Sequence, residues 1–96
     1  MKTYLITRHP GAVAWFQQQG IQIDQHLPHL NAAQIAPQDK VYGSLPIHLA
    51  AQICAIGAEY WHLSLDMPPQ LRGQELSATQ LNTINARLER FVVTSP

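Results

Sequence analysis

Arg8 and His9 stand side by side after a short apolar run, Tyr4–Thr7, and just before Pro10 and Gly11. An arginine and a histidine at such a place can grip a phosphate and then act on it. The guanidinium is a fixed cation whose planar fork matches two phosphate oxygens. The imidazole gives or takes a proton near neutral pH. The run before them reads as a strand covered on both faces, because no polar residue breaks it. Pro10 lacks an amide hydrogen and fits the first turn of a helix. Gly11 lets the backbone approach a ligand closely, and helix amides from about Gly11 onward add to an anion site. Thr7, at the strand end, and Gly11 therefore join Arg8 and His9 as candidate ligand contacts. The plainer alternative pairs Arg8 with Asp66 and leaves His9 as a helix cap.

Two further loops carry similar residue types. Gly43–Pro46 is a small turn ahead of a helix, where Ser44 offers a hydroxyl and Leu45 a backbone amide. His48, one turn into that helix, can reach the same ligand, although a lone His on an apolar helix is more often a satisfied core residue. Asp66, Arg72 and Gly73 lie in a third loop, where Arg72 can contact a second phosphate or close over the ligand. Its plainer role is a solvated surface cation. His26 and His29 are spaced like a metal-binding pair, but Pro28 lies between them and no cysteine or carboxylate pattern flanks them. No phosphate-binding loop, dinucleotide fingerprint, zinc-protease motif or nucleophile elbow is present, so ATP hydrolysis, dinucleotide redox chemistry and serine hydrolysis have no support.

The elements that must hold these loops follow from the pattern. The first strand covers Tyr4–Thr7 and the first helix Ala12–Gln19, with Val13, Phe16 and Ala12 on its buried side and Gly20 as its cap. Residues 23–29 read as a second strand, at the sheet edge because of Pro28. Residues 31–39 form a loop with one helical turn near 32–35. Lys40–Gly43 is the third strand, Ile47–Ile56 the second helix and Tyr60–Leu65 the fourth strand. Ser77 and Gln80 make a capping box for a last helix, with Leu76 stapled onto Leu81. Leu81, Ile84, Leu88 and Phe91 recur at helical spacing, so that helix is expected to run on to the end, with Arg87 and Arg90 at its negative pole. Strand and helix alternation predicts an α/β fold, a mainly parallel four-stranded sheet flanked by about three helices; it leaves the strand order open, with 2-1-3-4 favoured. Ligands bind such sheets at the carboxyl ends of the strands, near the switch in strand order. The three loops named above all lie there.

Ninety-six residues make one domain, residues 1–96. A chain this short buries only roughly 60–65% of its unfolded surface, so pairing with a second copy would help. Charged residues are 12% of the chain, and a surface so poor in charge is easily covered by a partner subunit. The formal net charge is zero and the six Lys and Arg do not cluster, which argues against a duplex nucleic-acid partner. The lone Cys54 sits in an apolar segment and reads as a structural thiol in a reducing compartment. No leader-like run and no apolar stretch of about 20 residues is visible, so a cytoplasmic protein without a membrane partner is expected.

Lys2–Ala12, then Gly43–Pro46 with Leu49–Ala51, then His62–Asp66 with Arg72–Ser77, together resemble the small CRISPR-associated ancillary proteins of type III systems. The resemblance spans nearly the whole chain, with its three segments in order. It implies a Rossmann-like domain related to the sensors of cyclic oligoadenylate. It also implies a ring nuclease that degrades the second messenger cyclic tetra-adenylate and switches off the antiviral response. Carried over residue by residue, it places Arg8, His9, Ser44 and Arg72 around the ligand. The matching chemistry is attack of a ribose 2′-hydroxyl on its own adjacent phosphate, with His9 protonating the leaving 5′-oxygen and Arg8 stabilising charge. It calls for no metal and no cofactor, and leaves a linear fragment ending in a 2′,3′-cyclic phosphate. A ring of four identical nucleotides is symmetric, so a two-fold homodimer can present one site per half. Two rivals stand beside this. One is a non-catalytic sensor or sponge that binds the ring and holds it. The other is a histidine phosphatase, which also opens on a strand-end Arg-His, but there Gly follows the His directly and here Pro10 intervenes.

Overall fold

The computed structural model describes all of residues 1–96. The apolar opening run forms β1 (Thr3–Ile6), and Pro10 starts α1 (Pro10–Gln18). A short β2 (Gln25–Leu27) follows, then a 3-10 turn at Ala32–Gln34 that carries the chain to β3 (Lys40–Gly43). The second helix, α2 (Ile47–Ile56), ends at Gly57, whose φ of 96° is the left-handed cap conformation that favours glycine. β4 (Glu59–Ser64), a 3-10 turn at Pro69–Leu71, α3 (Ala78–Thr83) and β5 (Arg87–Phe91) complete the chain.

The sheet order is β2-β1-β3-β4-β5. The first four strands are parallel and take the expected order 2-1-3-4, with β2 at an edge. β1 leads to β2 in one direction across the sheet, and β3 leads to β4 in the other. Right-handed crossovers running in opposite directions put their helices on opposite faces. That is the arrangement observed. Leu5, Tyr42 and Leu63 pack with Trp15 and Phe16 of α1 and Leu81 of α3 on one face. Tyr4, Ile6, Val41 and Tyr60 pack with Ala50 and Ile53 of α2 on the other. The buried side of α1 is Ala12, Trp15 and Phe16, with Val13 only half-buried. Trp15 also reaches α3, where its indole N–H donates to Asn82 Oδ1 at 2.9 Å. Burying a large apolar side chain of this kind contributes about 1.5–3 kcal/mol.

The end of the chain corrects the expected four-stranded sheet. Ser77 and Gln80 do form the capping box, and Leu76 and Leu81 are both buried around it. The helix nonetheless stops at Thr83, and Asn85 turns the chain through a φ of 57°. Asn tolerates this left-handed conformation better than other side chains with a Cβ. The next residues add β5 antiparallel to β4, with Leu88 opposite Leu63 and Phe91 opposite Tyr60. Arg87 and Arg90 therefore lie on a strand and not at a helix end. Asp66 pairs with Arg87 at 3.2 Å and accepts from Asn85 Nδ2 at 3.1 Å, which clips the turn between α3 and β5 to the end of β4. These two side chains, Asn85 first, hold the exposed Asp66 carboxyl below its ordinary pKa. The proposed Arg8–Asp66 pair does not form. No helix is long and apolar enough to cross a membrane.

Candidate functional site

β1 and β3 are neighbours in the sheet but lead to opposite edges, so their carboxyl ends diverge and leave a crevice. A cavity of about 530 Å3 opens there. Its walls are the β1–α1 turn, the segment after β2, the β3–α2 turn, the end of β4 and the stretch around Leu76. Such a volume suits a drug-sized ligand. The floor is apolar, made by residues such as Leu5, Phe16, Leu63 and Leu81. The rim carries Arg8, His9 and His29, and no carboxylate lines the cavity. Its local charge therefore favours an anion with apolar parts, although the whole chain is neutral.

The β1–α1 turn is held rigidly from beneath. Thr7 Oγ1 accepts a hydrogen bond from the His9 amide at 3.1 Å, and the Thr7 amide donates to the Leu27 carbonyl at 3.0 Å. His26 Nε2 lies 2.8 Å from the Thr7 carbonyl, so that nitrogen carries the proton and donates. His9 occupies the N-cap position of α1, but its side chain makes no capping bond. Arg8 enters no ion pair, since both salt bridges in the protein belong to Arg87. The Arg8 and His9 side chains are exposed at the rim and unpaired, as a ligand-contacting pair must be.

The β3–α2 turn is fixed by a network behind the cavity. Ser44 Oγ donates to the Leu63 carbonyl at 3.2 Å. The Leu45 amide, which the sequence offered to a ligand, donates instead to the Tyr60 hydroxyl at 2.9 Å. That hydroxyl also sits 2.6 Å from His62 Nδ1 and 3.3 Å from the Gly43 carbonyl. Burial raises the Tyr60 pKa, which keeps the hydroxyl a donor as well as an acceptor. Gly43 completes the turn: a Cβ there would lie 2.7 Å from the Ile6 carbonyl oxygen, so glycine lets the two strand ends close up. Tyr60→Phe leaves the Leu45 amide without its acceptor. We expect a loss of about 1–3 kcal/mol in urea unfolding, with faster hydrogen exchange at Leu45. An unchanged midpoint and unchanged exchange would mean that the hydroxyl holds nothing.

The structure brings together Thr7, Arg8, His9, Ser44 and Leu45 from the sequence candidates. The other five lie outside the cavity wall. Gly11 faces the Leu76 backbone, whose carbonyl oxygen would be 1.6 Å from an added Cβ. Its small size therefore serves the packing of α1 on that segment rather than the approach of a ligand. His48 is exposed on the first turn of α2, while its neighbour Leu49 lines the cavity. Asp66 is committed to β5 as described above. Arg72 and Gly73 are exposed beyond the wall, which Gln74 reaches in their place. His26 and His29 part company, one bound to Thr7 and the other at the rim. Sequence reasoning considered His29 only as half of a metal motif. The signal that could have found it is its place just past a parallel strand, at the same sheet edge as Arg8.

Fold and cavity define a small three-layer α/β protein with an anion-favouring cleft at the reversal of its strand order. Residues 4–94 match the family described as "Putative CRISPR-associated protein (Cas_VVA1548)", and the chain belongs to it. No curated protein and no solved structure gives a significant match to the chain.

Proposed function

We propose that the cleft binds and cleaves cyclic tetra-adenylate and so acts as a ring nuclease of type III CRISPR signalling. The observation that carries this is a carboxylate-free cavity at the strand-order switch, with an unpaired Arg8 and the imidazole of His9 on its rim. Membership of a CRISPR-associated family supports the choice of a signalling nucleotide over other anions. Arg8 grips the phosphodiester. The ribose 2′-oxygen forms a bond to phosphorus, the bond to the 5′-oxygen breaks, and His9 gives its proton to that leaving oxygen. The products end in a 2′,3′-cyclic phosphate and a 5′-hydroxyl. Apolar walls take a base or ribose, and the cavity is too small for four nucleotides at once. The ring therefore spans two copies of the chain in a two-fold homodimer, each offering one cleft to one half of the ring.

Incubation with cyclic tetra-adenylate in EDTA tests this directly. Linear products with a 2′,3′-cyclic phosphate are expected. Tight binding with the ring recovered intact would instead make the protein a sponge or sensor. A phosphohistidine formed from a phosphomonoester would make it a histidine phosphatase.

A further inference from the structure

We infer that His29 is the general base that takes the 2′-hydroxyl proton, opposite His9 as the acid; this rests on the nuclease reading above. Cleavage by 2′-oxygen attack moves two protons. One leaves the 2′-hydroxyl as the new phosphorus–oxygen bond forms. The other reaches the 5′-oxygen as the old bond breaks. In-line attack puts these two oxygens on opposite sides of phosphorus, so one side chain cannot serve both in a single step. Among the residues lining the cleft, His9 and His29 are the only imidazoles, and an imidazole is the side chain most often used as general acid or base.

Both histidines lie just past the ends of two paired strands, on the wall of the same cleft. Ile6 pairs with Leu27, and the Thr7 amide continues the ladder onto the Leu27 carbonyl. The ladder ends there, and Arg8, His9 and His29 follow in the turns that leave the two strands. Parallel neighbours are about 4.8 Å apart, so the two strands release these residues side by side, and all three line the cleft. A phosphate gripped by Arg8 in the cleft has one imidazole on the wall from the β1–α1 turn and another from the segment after β2. Pro28 stiffens the backbone directly before His29. The charged and titratable groups that share the cleft wall with His29 are Arg8 and His9, while His26, on β2, is bonded to the Thr7 carbonyl. The β3–α2 turn and the segment around Leu76 contribute to the wall Ser44 and Gln74 and no charge.

The test is the pH dependence of single-turnover cleavage of cyclic tetra-adenylate, for the full chain and for His29→Gln and His9→Ala. The full chain should give a rate that rises and then falls with pH. His29→Gln should lose about 10²–10³-fold and with it the rise on the acid side. A ring with 5′-bridging sulfur supplies a thiolate leaving group that needs no protonation. It should restore His9→Ala and leave His29→Gln slow. His29→Gln with an intact two-sided profile would reduce His29 to a wall residue, and restoration of His29→Gln by the sulfur ring would reverse the two roles; either result overturns the assignment. Binding without any cleavage by the full chain removes the nuclease reading itself, and this assignment with it.

Discussion

Alanine at position 9 is expected to slow cleavage of cyclic tetra-adenylate by about 10²–10⁴-fold at neutral pH, the usual worth of a positioned general acid. Affinity for the intact ring should change little, because in the proposed mechanism the imidazole acts on charge that develops only as the 5′-oxygen leaves. The fold should also be preserved. The His9 side chain makes no capping bond to α1, and the bond to Thr7 Oγ1 comes from the backbone amide, which alanine keeps. Such an exposed substitution shifts stability by roughly 0.5 kcal/mol or less. The loss can therefore be read as chemistry. Arg8→Ala should behave differently, weakening ring binding and slowing cleavage by about 10²–10³-fold, because it removes the charge that on the proposed mechanism holds the phosphate in both ground and transition states. Arg8→Lys should restore only part of this, since a point charge does not reproduce the bidentate fork. Titration of each variant with the ring, followed by single-turnover cleavage, separates the two effects. A wild-type rate from His9→Ala would remove His9 from the chemistry.

The parts of the fold legible in the sequence were those written in local pattern. Pro10 marked a helix start and Ser77 with Gln80 a capping box, and each stands where its backbone chemistry requires. Strand and helix alternation then pointed to a mainly parallel sheet, and the favoured order 2-1-3-4, one of several left open, is the one observed among the parallel strands. β5 was hidden because Leu81, Ile84, Leu88 and Phe91 fit a helical stripe, while Arg87–Phe91 fits a half-buried strand equally well. The tie was broken far from these residues. β4 leaves an edge of unpaired amides and carbonyls beside Leu63 and Trp61, and a strand can satisfy it. Asn85 then fixed where the helix gives way.

The candidate site was legible to the same degree and for the same reason. Loops at the ends of β1 and β3 meet because parallel order forces them together, so Arg8, His9, Ser44 and Leu45 reach one cavity. The loop after β4 is longer, and its path depends on Leu76 and Leu81 packing under α1. That packing sends Arg72 and Gly73 outward. What the backbone amides do was not legible at all. Leu45 was offered to a ligand but is held by the Tyr60 hydroxyl, fifteen residues away in the chain.

The largest stability loss is expected from Asp39, the one charged residue buried in the protein. It sits at the start of β3, at the sheet edge opposite the cleft. Oδ2 accepts from the Ala36 amide at 2.9 Å and Oδ1 from the Lys2 amide at 2.8 Å, so one carboxylate ties the loop before β3 to the start of the chain. Its own carbonyl accepts from the Glu59 amide at 2.8 Å, next to β4. Asp39→Ala removes two charge-assisted bonds and leaves two amides to find water. A loss of about 2–4 kcal/mol follows, or on the order of 10–20 °C in Tm for a domain of this size. Asp39→Asn should be little better, because its amide group turns a donor toward one of the two N–H groups. The pH dependence has a definite sign. The Ala36 amide first, then the Lys2 amide, hold the carboxyl below its ordinary pKa, against the opposing effect of burial. A folded-state pKa below the unfolded one stabilises the protein fully above the unfolded value of about 3.9 and is lost as pH falls through the folded value. The gap between wild type and Asp39→Ala in urea midpoint should thus be constant from pH 5 to pH 7 (roughly, by that pKa) and should narrow only below about pH 4. A gap that closes nearer neutral pH would point to a different group. Because Asp39 is remote from the cleft, the folded fraction of Asp39→Ala should cleave the ring at the wild-type rate, so that lost stability and lost chemistry are separated by position in the sheet.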